Sequence, residues 1–432
     1  MRDDIIKVEH CLGQLEAAAE RLALPQTGLI QCLALPGRPV DLPEGPSLSA
    51  VWLDEPLGAS PGRMTRREWL LLRLKAPQIV HADGLDAPWD AASLRSQIPR
   101  SLSNGLHFVG NTAPGSGLAM NSAMLRDGLS ALATGATWRK PVLLHAQNAH
   151  RIAPEQDSLL LPPETLRIGH LLWEYNVVPD AHLPGLARLD EIWAPSRFVE
   201  QLYTPVAPCP VHWVGKGISL PKPQGQRSVL CPTFCVVLDS RSGLARKNPV
   251  AALRAFRAAF PPPIQAKLII KMTPEPEHGF LDPEAQRAEI FAAAARDPRI
   301  EIVEDMLPLP KLLGVIKSAT ALVSPHRGEG FGYVPAFALS IGVPAIVSDT
   351  GGVQDFCTAQ TAWPVPGTQA AIVQETLPHP VPEGTWFEIC EDMLAQTMVE
   401  VVERPAKAAE KARRGAALMA HVYSPQAYAK RL

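Results

Sequence analysis

The sequence predicts an α/β protein built from two doubly wound units, and three observations predict it. From residue 105 onward, short apolar runs of strand length alternate with amphipathic segments of helix length, an alternation that argues for parallel sheets. A Pro- and Gly-rich stretch over 215–228 interrupts the alternation and reads as a linker. A second strand–helix series then begins and runs almost to the end of the chain.

The elements follow in order. Residues 1–104 form an N-terminal extension of open role, with one amphipathic helix expected over 5–22 and no assignment for 25–64. Leu106 to Val109 reads as a strand, 111–117 as a small-residue loop and 118–132 as a helix. Strands are expected at 141–145, 165–172, 191–194 and 211–214, with helices over 183–189 and 196–203. This gives a first unit over 105–215. In the second unit, 216–392, strands are expected at 233–239, 267–272, 300–303, 320–324 and 344–348. Its helices are expected over 250–260, 283–296, 309–318 and 334–341. The Ala-, Lys- and Glu-rich tail, 393–432, reads as helix closing the fold. Ligands of such sheets sit beyond the carboxyl ends of the strands, so two units facing each other would enclose a central cleft.

Composition narrows the function classes. Of 432 residues, 46% are hydrophobic and 19% charged, and the formal net charge is -2. A chain without basic excess is not expected to bind nucleic acid. No N-terminal run has the character of a signal peptide, and none approaches the ~18 apolar residues of a membrane span. The seven cysteines are odd in number and scattered, which points to reduced thiols in a cytoplasmic chain and to no metal site.

Four patches fall at strand ends. Pro114-Gly115-Ser116-Gly117 lies between a strand and a helix, where glycines let a phosphate approach the backbone and the helix N-terminus offers N–H groups. Its plain reading is turn chemistry. Asp239-Ser240-Arg241 followed by Arg246-Lys247-Asn248-Pro249 places cations after a strand; Lys is a point charge and Arg a bidentate fork, both suited to a diphosphate. Lys271 ends the next strand. The plain reading is a solvated basic loop. His326-Arg327-Gly328-Glu329-Gly330-Phe331-Gly332 runs from a strand through a Gly-rich turn into a helix, and a carboxylate there could accept hydrogen bonds from sugar hydroxyls. Gly342-Val343-Pro344 through Gly351-Gly352 reads as a helix stop, a buried strand and a turn.

The last three patches resemble the retaining glycosyltransferases of family 4, which have the GT-B fold of two Rossmann-like domains. The likeness continues in Ala338 to Pro344, in Asp355-Phe356, in Trp173-Glu174 and in Asp190 to Phe198, and covers about 105–432. Those last matches fit members from bacterial polysaccharide clusters. The resemblance implies sugar transfer with retention from a nucleotide-sugar donor, a UDP- or GDP-sugar, with no cofactor and no obligatory metal. It implies a saccharide or lipid-linked acceptor, compatible with peripheral contact at the inner membrane face. It assigns Arg241 and Lys247, six residues apart, to the donor diphosphate, and Glu329 to the donor sugar. Gly115 and Gly117 match the loop near the phosphates, and Gly330, Phe331 and Gly332 the donor turn.

The chain departs from the family at one place. The family's second Glu, eight residues after the first, holds the nucleotide ribose, and that position is Phe337 here. On the acceptor side, His145 ranks first among the polar residues at strand ends, ahead of Asn148, His170 and Glu174; each has a plain structural reading as a satisfied core group. The competing expectation is a non-catalytic nucleotide- or sugar-binding protein on the same scaffold. A phosphorylase or a nucleotide-sugar epimerase would need patterns this sequence does not carry.

Overall fold

The computed structural model describes residues 50–53, 78–81, 106–110, 117–132, 141–157, 165–224, 231–274, 284–372, 381 and 384–432. Met1–Phe108, Thr137–Leu144 and Arg151–Ile168 make one compact unit; Val109–Ala136, His145–His150 and Gly169–Leu432 make the other. In the first unit, β1 (Ala50–Leu53) and β2 (Gln78–His81) pair in parallel. The helix expected over 5–22 lies outside the described residues.

The chain continues through β3 (Leu106–Gly110), α1 (Gly117–Leu132), β4 (Val142–Gln147), α2 (Ile152–Asp157) and β5 (Leu166–Leu171). It runs on through α3 (Leu183–Leu186), β6 (Glu191–Ala194), α4 (Arg197–Tyr203) and β7 (Val211–Trp213). The carboxyl ends of β3, β4 and β5 belong to the second unit. There they join β6 and β7 in the spatial order β3-β4-β5-β6-β7, with β6 and β7 parallel. Ser196 caps α4, its hydroxyl accepting from the Val199 N–H, which supplies one of the partners a helix start lacks. The helix expected over 183–189 stops at Leu186, because the backbone tightens there into turns closed by the Arg188 and Leu189 N–H groups.

The second strand–helix series holds β8 (Thr233–Val237), α5 (Leu244–Lys247), α6 (Pro249–Ala259), β9 (Lys267–Met272), α7 (Glu284–Arg296) and β10 (Ile300–Glu304). After these come α8 (Leu309–Ser318), β11 (Ala321–Ser324), α9 (Tyr333–Ser340), β12 (Ala345–Ser348) and β13 (Trp363–Val365). Six parallel strands form one sheet in the order β10-β9-β8-β11-β12-β13. Alternate residues feed two apolar layers. Phe234, Val236, Leu268, Ile270, Ala321 and Val323 pack with α6, α7 and the helix over 391–403. Cys235, Ile269, Leu322, Ala345 and Val347 pack with α8 and α9. Burial on both faces is why these strands read as continuous apolar runs.

β14 (Gly367–Ala371) and β15 (Thr385–Ile389) form an antiparallel pair that the sequence reading did not anticipate. The helical tail is three helices, α10 (Glu391–Glu403), α11 (Pro405–Val422) and α12 (Pro425–Ala429). Proline opens the second and third; it lacks the N–H a continuing helix needs and pushes the residue before it out of helical geometry, as at Arg404. Among the described residues no helix is long and apolar enough to cross a membrane.

Candidate active site

The site lies within the second unit, beyond the carboxyl ends of β8 and β11. After β8, Asp239 caps a single 3-10 turn over Ser240–Ser242, and the one-turn helix α5 follows. Asn248 then takes left-handed backbone angles, φ 51° and ψ 47°, and Pro249 opens α6. Asn is among the few residues that tolerate this conformation, and Pro suits the first helical position. The Lys-Asn-Pro sequence therefore fixes where α5 stops, and so where Arg246 and Lys247 stand.

After β11 the chain enters the loop that carries Glu329. This loop is pinned from several sides. The Arg327 N–H donates to the Arg246 carbonyl (2.7 Å), and the Ser196 hydroxyl to the Gly330 carbonyl (2.5 Å). The Gly352 N–H donates to the Glu329 carbonyl (2.8 Å). Such close packing of main chains leaves no room for side chains at two positions. A Cβ on Gly330 would stand 2.5 Å from the Trp173 carbonyl oxygen, and one on Gly352 would overlap the Gly330 carbonyl oxygen.

Three charged side chains meet here. The Lys247 ammonium donates to Glu329 Oε1. Arg246, 5% exposed, donates from Nη1 to the Gly328 carbonyl at 2.8 Å, with the same nitrogen 3.7 Å from Glu329 Oε1. Its Nη2 lies 3.9 Å from Glu174 Oε1. Burial pushes the Glu329 carboxyl up, but Lys247 and Arg246 more than offset it and hold the group down at about 2. Burial pulls the Lys247 ammonium down from its ordinary value, with Glu329 opposing. His326 is fully buried, and burial lowers it to about 4. Its Nε2 lies 3.3 Å from the Thr350 carbonyl oxygen, and its Nδ1 lies 3.0 Å from the Ser324 carbonyl oxygen and 3.1 Å from the Ser324 hydroxyl, so a neutral ring can donate to either carbonyl.

Glu329 and Lys247 thus come together. Arg246, one residue before Lys247, joins them; sequence spacing selected Arg241 instead, and the clue available was only that Arg246 and Lys247 are adjacent. Arg241 is turned onto Asp239 by a fork of two hydrogen bonds, both 2.9 Å. Asp239 in turn accepts from the Thr273 hydroxyl at 3.0 Å. Lys271 is buried near the same carboxylate: burial lowers its pKa, and Asp239 and Asp305 raise it. Arg327, beside the motif acid, is structural. It donates to Glu388 (2.6 Å) and to the Ala245 carbonyl (2.5 Å), and lies 4.8 Å from the Trp386 ring centroid.

The remaining candidates lie apart from this cluster. Phe337 is 1% exposed and packs against Tyr333 in the apolar layer beneath α9. The Phe331 ring is likewise in the core, against Phe356 and Tyr423, so only its backbone could face a ligand. Gly332 caps α9 with φ 93°, an angle that disfavours residues with a side chain. His145 is fully buried on β4, with Gln147 Nε2 at 3.3 Å from its Nδ1. Gly117 opens α1, and Gly115 lies outside the described residues.

Residues 220–432 match the family model described as Family 4 Glycosyltransferase in conflict systems. No curated protein matches the chain. Among solved structures, sucrose-phosphate synthase from Thermosynechococcus elongatus is 16% identical with a TM-score of 0.50, the match covering 79% of this chain and 91% of that one. A glycosyltransferase from Rickettsia africae ESF-5 is 10% identical with a TM-score of 0.50, covering 74% and 81%. TarM from S. aureus is 9% identical with a TM-score of 0.49, covering 67% of this chain and 54% of that one; the chain thus spans about half the length of TarM. The fold is the GT-B class expected from the sequence, and the match to a family 4 glycosyltransferase model extends over residues 220–432.

Proposed function

We propose that the protein transfers a sugar from a nucleotide-sugar donor, with retention of configuration, to a saccharide acceptor. The observation that carries the reading is the buried cluster of Lys247, Arg246 and Glu329 on two adjacent strand-to-helix turns of a family 4-type domain. In a transferase of this class the breaking glycosidic bond leaves charge on the diphosphate. Cations already fixed in place stabilise that charge without having to reorganise. Lys247 and Arg246 are held in this way by Glu329 and by the Gly328 carbonyl. Arg241 and Lys271, grouped around Asp239, supply further positive charge on the neighbouring strand ends. Glu329, ionised at any ordinary pH, can accept hydrogen bonds from donor-sugar hydroxyls. The reaction as read needs neither a metal nor a protein nucleophile, and His145 is the candidate for the acceptor side.

The resemblance to polysaccharide-cluster enzymes suggests a UDP- or GDP-sugar donor and a saccharide or lipid-linked acceptor at the inner membrane face. The matched family is described by conflict systems instead, so the acceptor must be found by assay. Phe337 favours a second reading, binding without turnover, because a buried ring stands where the family holds the ribose with a carboxylate. A donor screen decides between the two. Purified protein is incubated with a panel of nucleotide sugars and a membrane-lipid and glycan extract, and nucleoside diphosphate release is followed, with Glu329→Gln as control. Release from one donor that the variant loses supports transfer. Calorimetric binding of a nucleotide without release, extract present, establishes the second reading.

A further inference from the structure

A second polar cluster lies in the same unit, outside the motif residues. Lys216 follows β7 and is fully buried. Its ammonium donates to Asn121 Oδ1, on α1, and lies 3.4 Å from His170 Nε2, on β5. It also stands 5.6 Å from the centroid of the Tyr333 ring, whose hydroxyl donates to the same Asn121 oxygen at 3.2 Å. Asn121 and His170 are fully buried too. Among the described residues no carboxylate pairs with Lys216.

Donor counting then becomes specific. With His170 Nε2 accepting from Lys216, a neutral ring carries its proton on Nδ1, which faces the main chain of its own residue. Asn121 Nδ2 has no partner. The third Lys216 N–H and both Asn121 Nδ2 hydrogens are thus left without acceptors, around a lysine whose pKa burial pulls well below its ordinary value. Buried polar groups are nearly always satisfied, and orphaned ones point to an absent water, ion or ligand. A water could take some of these donors; an oxyanion takes them and also supplies the counter-charge that keeps the Lys216 ammonium protonated.

We propose that Lys216, Asn121 and His170 form a site for an anionic oxygen of a phosphate group, distinct from the cations around Glu329. Two substrates could bring that chemistry, the diphosphate of the donor or a phosphate on the acceptor. Only the choice of the UDP probe rests on the transferase reading. Binding is measured without turnover, so phosphate held here by a chain that proved inactive would leave the site standing while that reading failed.

The test is calorimetric titration of the full chain with inorganic phosphate, UDP and glucose 6-phosphate, in the wild type, Lys216→Met and Asn121→Asp. The first variant removes the cation. The second places a carboxylate against Lys216, which satisfies the charge internally, so it is expected to fold even where Lys216→Met does not. Each variant is expected to weaken inorganic phosphate binding about tenfold or more, the usual scale for a lost charge-assisted hydrogen bond. A parallel loss for UDP alone assigns the site to the donor, and a loss for glucose 6-phosphate alone to the acceptor. Wild-type affinity for all three probes in a cooperatively melting Asn121→Asp chain, or no phosphate binding by the wild type, would overturn the proposal.

Discussion

Replacing Glu329 by Gln should destabilise the protein by about 3 kcal/mol at neutral pH, and the loss should shrink in acid. Two routes lead to that figure. Glu329 sits at about 2 against an ordinary 4.5, and at ~1.36 kcal/mol per pKa unit the difference is worth about 3 kcal/mol of folding free energy. Removing one member of a buried ion pair typically costs about 3–5 kcal/mol. The lower end applies here, because the Gln oxygen can still accept from Lys247 and because Glu174 remains 3.9 Å from Arg246. The sign of the pH dependence follows from the direction of the shift. The folded state holds Glu329 ionised below its ordinary range, so the unfolded chain takes up the proton first. The contribution is complete above pH 4.5 and disappears as pH falls from there toward 2. Burial of neutral His326, at about 4 against 6.5, adds a loss as pH falls from 6.5 toward 4; Glu329 raises His326, so in the variant this loss extends to more acid pH. Urea denaturation of both proteins in steps from neutral to about pH 2.5 gives the Glu329 contribution, its effect on His326 included, as their difference. A difference below about 1 kcal/mol at neutral pH, or one that persists undiminished at the acid end, would refute the ion-pair reasoning.

Arg241→Ala and Lys247→Ala should each lower kcat/KM about 10²–10³-fold once a donor is known, as expected for removal of one preorganised charge donor; wild-type turnover in either variant would remove that residue from the diphosphate site. Phe337→Glu, which restores the family's carboxylate, should lose several kcal/mol of stability by burying a charge where a ring now packs. A variant that melts at the wild-type temperature and binds UDP more tightly would show the position open to ligand. Gly352→Ala should shift the Glu329 loop, because its Cβ overlaps the Gly330 carbonyl. The expected result is a lower melting temperature with weakened donor binding, and unchanged values for both would contradict the packing described here.

Much of this architecture was legible in the sequence because its signals are local. The strand at Lys267–Met272 and the helix at Leu309–Ser318 were placed to the residue, since an apolar run between breakers, or a 3.6-residue period, is complete within its own segment. The β14–β15 pair was not legible. Gly367–Ala371 has little apolar content, and it is a strand only because residues about 18 positions further on supply its partners. The breaks in the tail were legible and passed over: Pro405 and Pro425 each mark a helix start. At the site, the family spacing led to Lys247 and Glu329 and by-passed Arg246, whose role depends on backbone contact with Gly328, 82 residues away. Lys216 carried no motif at all. Its significance lies in three partners from three separate elements, which no window of sequence can contain.

The Glu329 turn leads into α9, the helix that carries Phe337. The turn is held by main-chain contacts, through Gly330 against Trp173 and through Gly352 against Glu329 and Gly330, and by the Phe331 ring against Tyr333 of α9. Phe337 lies one layer below, where α9 packs against the sheet with Phe331, Phe356 and Tyr423 in the same apolar layer. A carboxylate at that position would have to turn out of this layer to meet a ribose, and the aromatic ring instead fills it. A residue that holds a ribose must then come from elsewhere. If Arg246, Lys247 and Glu329 meet the donor as proposed, the missing carboxylate at 337 is expected to alter nucleotide preference before it abolishes transfer.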